Sequence, residues 1–370
     1  MSSKENTRKL LSLAGIEING ENPWDIVVNN DAFYSKVIAR DSLGLGESYM
    51  DGWWECQKLD EFFYRILSKD LGQQVRKNWA LLAGGLGARI FNLQSRKRAF
   101  QIGERHYDIG NDLFSKMLDK RMAYSCGYWR NADTLDEAQE HKLDLICQKL
   151  GLRSGMRMLD IGCGWGSLAR YAAEKYQVEV VGITVSREQA ELAQTLCKGL
   201  FVEIRLQDYR DVHERFDRIA SVGMIEHVGY KNYRMFMEVV YQCLDKGGLF
   251  LLQTIGGNQS RISVDPWINQ YIFPNGMLPS LKQLGSAIEG LFVMEDWHSF
   301  GADYDKTLMA WYRNFEDNWN SLKNNYDERF HRMWRYYLLS CAGSFRARKN
   351  QLWQIVLSKE GTPGGYRSFR

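Results

Sequence analysis

Residues 158–166 read M-L-D-I-G-C-G-W-G, an apolar run ending in a carboxylate, Asp160, and three glycines, Gly162, Gly164 and Gly166. Ser167 then opens a helical pattern through Leu168, Tyr171 and Ala172. Strand, glycine turn and helix N-terminus in that order let a ligand approach the backbone, because glycine lacks a Cβ and tolerates positive φ. The spacing departs from the dinucleotide fingerprint G-x-G-x-x-G/A, since Ser167 stands in its last position. A carboxylate at the strand end can hold an ammonium group. Asp160 and the turn, with Cys163 and Trp165 between its glycines, therefore point to an amino-acid-bearing nucleoside, S-adenosylmethionine, rather than a pyrophosphate. A bare G-x-G-x-G also fits a tight strand-to-helix turn that binds nothing, so the remaining elements must carry the distinction.

Those elements alternate. Met158–Ile161 is expected as a strand, Ser167–Tyr176 as a helix, and Val178–Thr184 as a strand. Helix Ser186–Cys197, with Ser186 as its N-cap, leads to strands Val202–Asp208 and Phe216–Val222. Helix Asn232–Leu244 and strand Gly248–Ile255 complete the run, preceded by a helix over Glu137–Leu150. Such alternation predicts a mostly parallel sheet wrapped by helices, with the strand ends at Thr184, Asp208, Gly223 and Thr254 on one ligand-binding edge. Beyond it, Val264–Ser280 holds three of the five prolines and reads as a lid insertion around 257–290 or a long connection. Met294–His298, two helices over Thr307–Trp319 and Arg329–Arg346, and a strand at Trp353–Ser358 follow, and the tail GTPGGYRSFR is expected to be mobile.

At 370 residues the chain suggests two units, 1–100 and 101–370. In the first, Gly44, Gly46 and Gly52 read as loop markers beside Tyr49, Trp53 and Trp54 in a small helical domain. Trp79–Phe100 combines an apolar stripe with Arg89, Arg96, Lys97 and Arg98, which fits either an anionic lipid surface or a solvated basic linker. The 13% aromatic content can build a core or line an apolar cavity. A net charge of +3 and the absence of an RNA-binding module argue against nucleic acid as a partner. No window has the ~18 consecutive apolar residues of a membrane span, and the polar start is no signal peptide. Seven scattered cysteines and six histidines form no metal pattern, so no metal is expected, and reduced thiols suggest a cytoplasmic protein.

Several separately placed stretches together resemble the cyclopropane-fatty-acyl-phospholipid synthases, the S-adenosylmethionine-dependent group that includes mycolic acid methyltransferases. They are SLGLGESYMDGWWEC, HYDIGNDLF, YSCGYW, MLDIGCGWG, GITVSREQ, SVGMIEHVG, VDPWINQYIFPNGMLPS, the run Phe292–Trp311 and YYLLSCAGSFRAR, spanning residue 40 to near the end. The resemblance implies a Rossmann-like α/β methyltransferase fold with a seven-stranded, mostly parallel sheet and a small, mainly helical, lipid-contacting N-terminal domain. It assigns Tyr124 and Ser125 to the cofactor, along with Asp160, Gly162 and Gly164. It also assigns Thr184 through Gln189, with Ser186, to the ribose side, and Gln207, Asp208, Tyr209 and Arg210 to the adenine side. Most methyltransferases have an acidic residue at that ribose-side strand end, and here Thr184 and Gln189 must serve instead.

The resemblance further implies a bicarbonate ion held by Glu226, Cys126, Ile255 and Tyr304, and it matches Cys341 to a cysteine proposed as an active-site residue. Where the family has histidine this chain has Gln253, which can donate a hydrogen bond but cannot carry charge or shuttle a proton. The implied reaction is methylene transfer to the cis double bond of an unsaturated phospholipid acyl chain at the inner face of the membrane. The protein would be peripheral there and a homodimer. After methyl transfer, a base must take a proton from the added methyl so that the ring closes, in a dry aromatic pocket that favours a cation. Tyr304, Trp267, Tyr271 and Phe273 are candidates for that pocket, and His227 and His106 are histidines near it in sequence motif. A methyl-branched or exomethylene product, a small-molecule N-methyltransferase and a non-catalytic lipid-binding scaffold are the competing readings.

Overall fold

The computed structural model describes residues 2–69 and 110–370; the Trp79–Phe100 stretch and His106 lie outside the described residues. Two compact units are present. Among the described residues, the first takes 2–69, Val264–Pro274 and Tyr304–Asn350. The second takes 110–263, Asn275–Asp303 and Gln351–Arg370. The expected cut at residue 100, with 101–370 as one domain, therefore does not describe the compact units, because two later segments pack with the first.

The first unit is held by aromatic packing. Strands β1 (Ile26–Val28) and β2 (Trp54–Cys56) pair antiparallel. Trp54 is fully buried, with the rings of Tyr49 and Phe62 at 5.1 and 5.3 Å. Helix Glu328–Arg346 lies close against helix Leu59–Ser68, and a Cβ on Gly343 would come within 2.6 Å of the Asp60 carbonyl oxygen. Two of the three glycines expected to mark loops are helical instead: Gly44 and Gly46 belong to Ala32–Met50, a helix kinked at Asp41 (φ 49°), while Gly52 (φ 73°) stands in the turn that follows it. Gly46 is there for space, since a Cβ would meet the Trp267 ring at 2.3 Å. Trp267 itself is 1% exposed and its ring centroid lies 4.4 Å from that of Tyr336. Much of the aromatic content thus serves a core, and Trp267 is a core residue rather than part of a lid.

The second unit is built on the sheet order β5-β4-β3-β6-β7-β9-β8. Its strands are β3 (Arg157–Ile161), β4 (Glu179–Thr184), β5 (Val202–Leu206), β6 (Phe216–Val222), β7 (Leu244–Gly257), β8 (Val293–Ser299) and β9 (Asn350–Ser358). The pairs among β3 to β7 are parallel and β8/β9 is antiparallel. Side chains alternate across the sheet. Leu159, Ile161, Val181, Ile183 and Ile219 enter one core, while Met158, Val180, Ala220 and Leu251 enter the other. Both faces are covered, as a parallel sheet requires. The chain runs outward from β3 to β5, then returns to β6 on the other side of β3, so the topological switch point lies at β3/β6.

The tail is tied down, contrary to expectation. The Tyr366 hydroxyl donates to the Lys149 carbonyl at 2.8 Å, and Arg370 Nη2 donates to Asp296 Oδ1 at 2.7 Å. Asp296 also pairs with Lys149 at 3.3 Å, and the lysine side chain is fully buried. Composition marks G-T-P-G-G as loose; the paired charges at its far side decide otherwise.

Candidate active site

Asp160 is the last residue but one of β3, at the switch point, and is 2% exposed. Beyond it the backbone N–H groups of Gly162 and Cys163 both donate to the Ile183 carbonyl, at 2.9 and 3.0 Å, which pins the turn to the neighbouring strand. Gly162 (φ 81°) is required twice over: its conformation is left-handed, and a Cβ would meet Met224 at 2.8 Å. Gly166 (φ 78°) is the left-handed N-cap of helix Ser167–Tyr176. The space above Gly164 is open, with nothing within 4 Å of where a Cβ would stand.

Around this turn lies one cavity of the second unit. Tyr124, Ser125, Asp160, Gly162, Cys163, Gly164 and Trp165 line it, with Thr184, Gln189, Gln207, Asp208, Tyr209 and Arg210. Of the expected cofactor positions, Gly166 and Ser186 shape the wall without lining it. Ser186 is the expected N-cap, accepting from the Gln189 N–H at 3.3 Å. The Thr184 hydroxyl donates to Gln189 Oε1 at 3.0 Å, so the pair that replaces the usual acidic residue is internally ordered. Asp208 accepts from the Arg210 guanidinium at 2.8 and 2.9 Å, a bidentate pair that fixes the next corner. Burial pushes the Asp160 carboxyl up to about 7, with Lys142 pulling it back, and its Oδ2 is a buried oxygen without a hydrogen-bond partner. An orphaned buried carboxylate oxygen beside an open glycine cradle fits a ligand bearing an ammonium group.

The catalytic candidates divide. Glu226, 7% exposed, accepts from the Ile255 N–H at 2.7 Å through Oε1, while Oε2 is buried without a partner. Burial raises its carboxyl to about 7 against the lowering effect of that hydrogen bond. Gln253, at the same strand end, accepts at Oε1 from Gln354 Nε2 at 2.9 Å, and its carbonyl accepts from the Gly223 N–H. Cys126 is buried on the 123–126 loop. Glu226, Gln253 and Ile255 are thus gathered at the ends of β6 and β7, although none of them lines the cavity just described. Tyr304 and Cys341 belong to the first unit. There the Tyr304 ring packs at a tilt against Phe345, with centroids 4.5 Å apart. Burial pushes the Cys341 thiol up to about 12, which makes it a poor nucleophile at neutral pH. His227 lines the cavity, but burial lowers it to about 4 and keeps it neutral.

Three contributors escaped sequence reasoning. Gln139 and Lys142, both buried, point from helix Leu135–Lys149 to Ser125, and Asn111 accepts from the Trp165 indole N–H at 2.9 Å. A signal for two of them was present. Gln139 and Lys142 fall at helical spacing with Ala138, Leu145 and Ile146 on the buried stripe, where uncompensated polar residues are rare. Asn111 gave none, because its partner Trp165 is 54 residues away.

A seven-stranded sheet of this order with a glycine-turn cavity at its switch point defines an S-adenosylmethionine-dependent methyltransferase. Solved relatives agree: the cyclopropane synthase MmaA2 from Mycobacterium tuberculosis superposes with a TM-score of 0.67 and 31% identity, covering 70% of this chain and 98% of that one. Mycolic acid cyclopropane synthase CmaA1, complexed with SAH and CTAB, gives 0.65 and 33%, covering 70% and 98%. Coclaurine N-methyltransferase, 21% identical, shares the fold. The chain belongs to the mycolic acid cyclopropane synthetase family, whose pattern matches residues 94–355. It is 57% identical to the cyclopropane-fatty-acyl-phospholipid synthase of Escherichia coli K12 over 98% of this chain and 94% of that protein. A probable fatty acid methyltransferase of Pseudomonas putida is 39% identical over 70% of this chain and 69% of its own length.

Proposed function

We propose that the protein transfers a methylene unit from S-adenosylmethionine to the cis double bond of an unsaturated phospholipid acyl chain, closing a cyclopropane ring. The observation that carries this reading is the 57% identity, across nearly the whole chain, to a synthase of that reaction. The cavity supports it, because Asp160 and the glycine turn fit the cofactor's amino-acid end and Thr184, Gln189 and Asp208 stand at the neighbouring strand ends. When bound, the cofactor supplies a sulfonium-activated methyl, which an isolated alkene needs because it is a poor nucleophile. The protein's task is then chiefly to hold alkene and methyl in line at roughly 3–3.5 Å and to keep water out.

Glu226 is the residue proposed to manage the proton that leaves. With its carboxyl raised to about 7 and Oε2 unpartnered, it can present a donor to a small anion near neutral pH. Bicarbonate fits that description, and Glu226 with the Cys126 loop would hold it as a weak base. Among the described residues no helix is long and apolar enough to cross a membrane. Access to acyl chains is accordingly proposed to come from peripheral attachment at the inner membrane face, as a homodimer.

A second reading rests on Gln253, which pairs with another amide and has no titratable proton to relay. Slow deprotonation would let the cation rearrange to a methyl-branched or exomethylene chain. One experiment separates the two. Purified protein is incubated with S-adenosylmethionine and vesicles of unsaturated phospholipid, and the fatty esters are resolved by gas chromatography–mass spectrometry. A mass gain of one methylene with cyclopropane fragmentation is expected, a branched ester would select the second reading, and no lipid product would refute both.

A further inference from the structure

Helix Leu135–Lys149 sets a lysine into the wall of the cofactor cavity. Lys142 is 1% exposed, lines the same cavity as Ser125 and Asp160, and donates from Nζ to Ser125 Oγ at 3.0 Å. The groups whose charge it feels are Asp119, Cys126 and Asp160. Asp119 is committed to the backbone, accepting from the N–H groups of Ala123 and Arg121 at 2.8 Å each. Asp160 is not, since Oδ2 has no partner. The loop's own shape does not need the lysine, because Gln139 Nε2 already donates to the Ser125 carbonyl at 2.8 Å. A buried cation that braces neither backbone nor core, yet touches a hydroxyl in the cavity wall, has a different task.

A hydroxyl has one proton and two lone pairs, and an ammonium group can only donate. Ser125 Oγ is therefore the acceptor from Lys142, which leaves the serine proton to be given to something else. Charge balance says what. With both carboxyls ionised, Asp119 and Asp160 against Lys142 leave one excess negative charge, and a sulfonium, an ammonium and a carboxylate together bring one excess positive charge, which favours that ionised state on binding. We propose that Lys142 is a positioning residue for the amino-acid end of the cofactor: it orients the Ser125 hydroxyl as a donor to the cofactor carboxylate and keeps Asp160 an anion for the cofactor ammonium. This rests on the S-adenosylmethionine reading above and assigns polarity within it. Ser125 takes the carboxylate, Asp160 takes the ammonium, and Lys142 sets both.

Binding measurements on the full chain test it, with S-adenosylhomocysteine, its analogue lacking the carboxylate, and methylthioadenosine, which lacks the amino-acid end. Lys142→Met is expected to weaken S-adenosylhomocysteine about 10- to 100-fold while methylthioadenosine stays within about twofold. The penalty for removing the ligand carboxylate, large in the unaltered protein, should nearly vanish in Lys142→Met and in Ser125→Ala. The two substitutions combined should lose little more than Lys142→Met alone, because they act on one interaction. Equal weakening of all three ligands, or full additivity, overturns the proposal. Should Lys142→Met fail to fold, Ser125→Ala decides alone, and the absence of carboxylate-selective loss there is refutation. Failure of the unaltered protein to bind any of the ligands would sink the cofactor reading as well; binding of all three with no effect of either substitution sinks only the role of the lysine.

Discussion

Glu226 and Asp160 are carboxyls that the fold makes expensive to ionise. Each is raised to about 7 by burial, well above its ordinary value. The sign follows from linkage. Between the unfolded pKa near 4 and the folded value near 7, the native state holds protons that the unfolded state has lost, so stability falls as pH rises through that window. The buried imidazoles of His227 and His298 act in the opposite sense below pH 6.5, so the ligand-free protein should melt lower at pH 8 than at pH 6.5. Glu226→Gln should flatten that slope and raise the pH 8 melting temperature; an unchanged slope in differential scanning fluorimetry would contradict the burial argument. In the same variant turnover should fall by about a hundredfold, a typical loss for a proton-handling group, while S-adenosylhomocysteine affinity stays within about twofold. A lost affinity would mean that Glu226 belongs to the cofactor site instead.

At the level of elements, close approaches set the tolerances. Gly46 lets its helix meet Trp267, and alanine there would drive a Cβ to 2.3 Å from a ring that is itself fully packed. Gly46→Ala should destabilise by about 1–3 kcal/mol in urea unfolding, the usual cost of overpacking. A neutral result would show that the ring can retreat. Ser186 sits at the other extreme, a single cap on helix Arg187–Leu196. Ser186→Ala should cost about 1 kcal/mol, with a loss of cofactor affinity because the cap also holds Gln189 in the cavity wall. Both helices were expected as turn or helix from local pattern alone, and the outcomes differ for a physical reason. A cap is a contact three residues long, readable in sequence, whereas Gly46 answers to a tryptophan more than two hundred residues away.

On the scale of the molecule, the second unit is closed by its tail through one carboxylate. Asp296 serves both Lys149 and Arg370 and is held at about 2, while Lys149 falls to about 8 because its desolvation outweighs what a single shared carboxylate returns. Lys149 also donates to His298 Nδ1 at 3.1 Å, and burial with the adjacent cations keeps that imidazole neutral. Asp296→Asn would strand a fully buried ammonium and should cost about 3–5 kcal/mol. Arg370→Ala removes only the more exposed partner and should cost far less, with faster proteolysis of the last residues as its mark. Equal losses would refute the ranking.

The parallel sheet and the residues that line the cavity at its switch point were legible in local patterns. Periodicity found helix Ser167–Tyr176 and strand Phe216–Val222 at their observed limits, and the strand-to-helix turn with Asp160 is a local object whose geometry depends on adjacent residues. Thirteen of the fifteen expected cofactor positions line one cavity because they sit at the ends of strands that a parallel sheet must bring to one edge. The features that no local pattern reveals depend on pairs far apart in the chain. The two compact units cross the expected cut at residue 100, Trp267 is a core residue, Gln253 answers to Gln354, and the tail is anchored at Asp296. Lys142 is the sharpest case. A lysine in a helix is usually solvated, and what makes this one part of the cavity wall is the half-buried Ser125 and the buried Asp119 and Asp160 around it, which no single stretch of sequence contains.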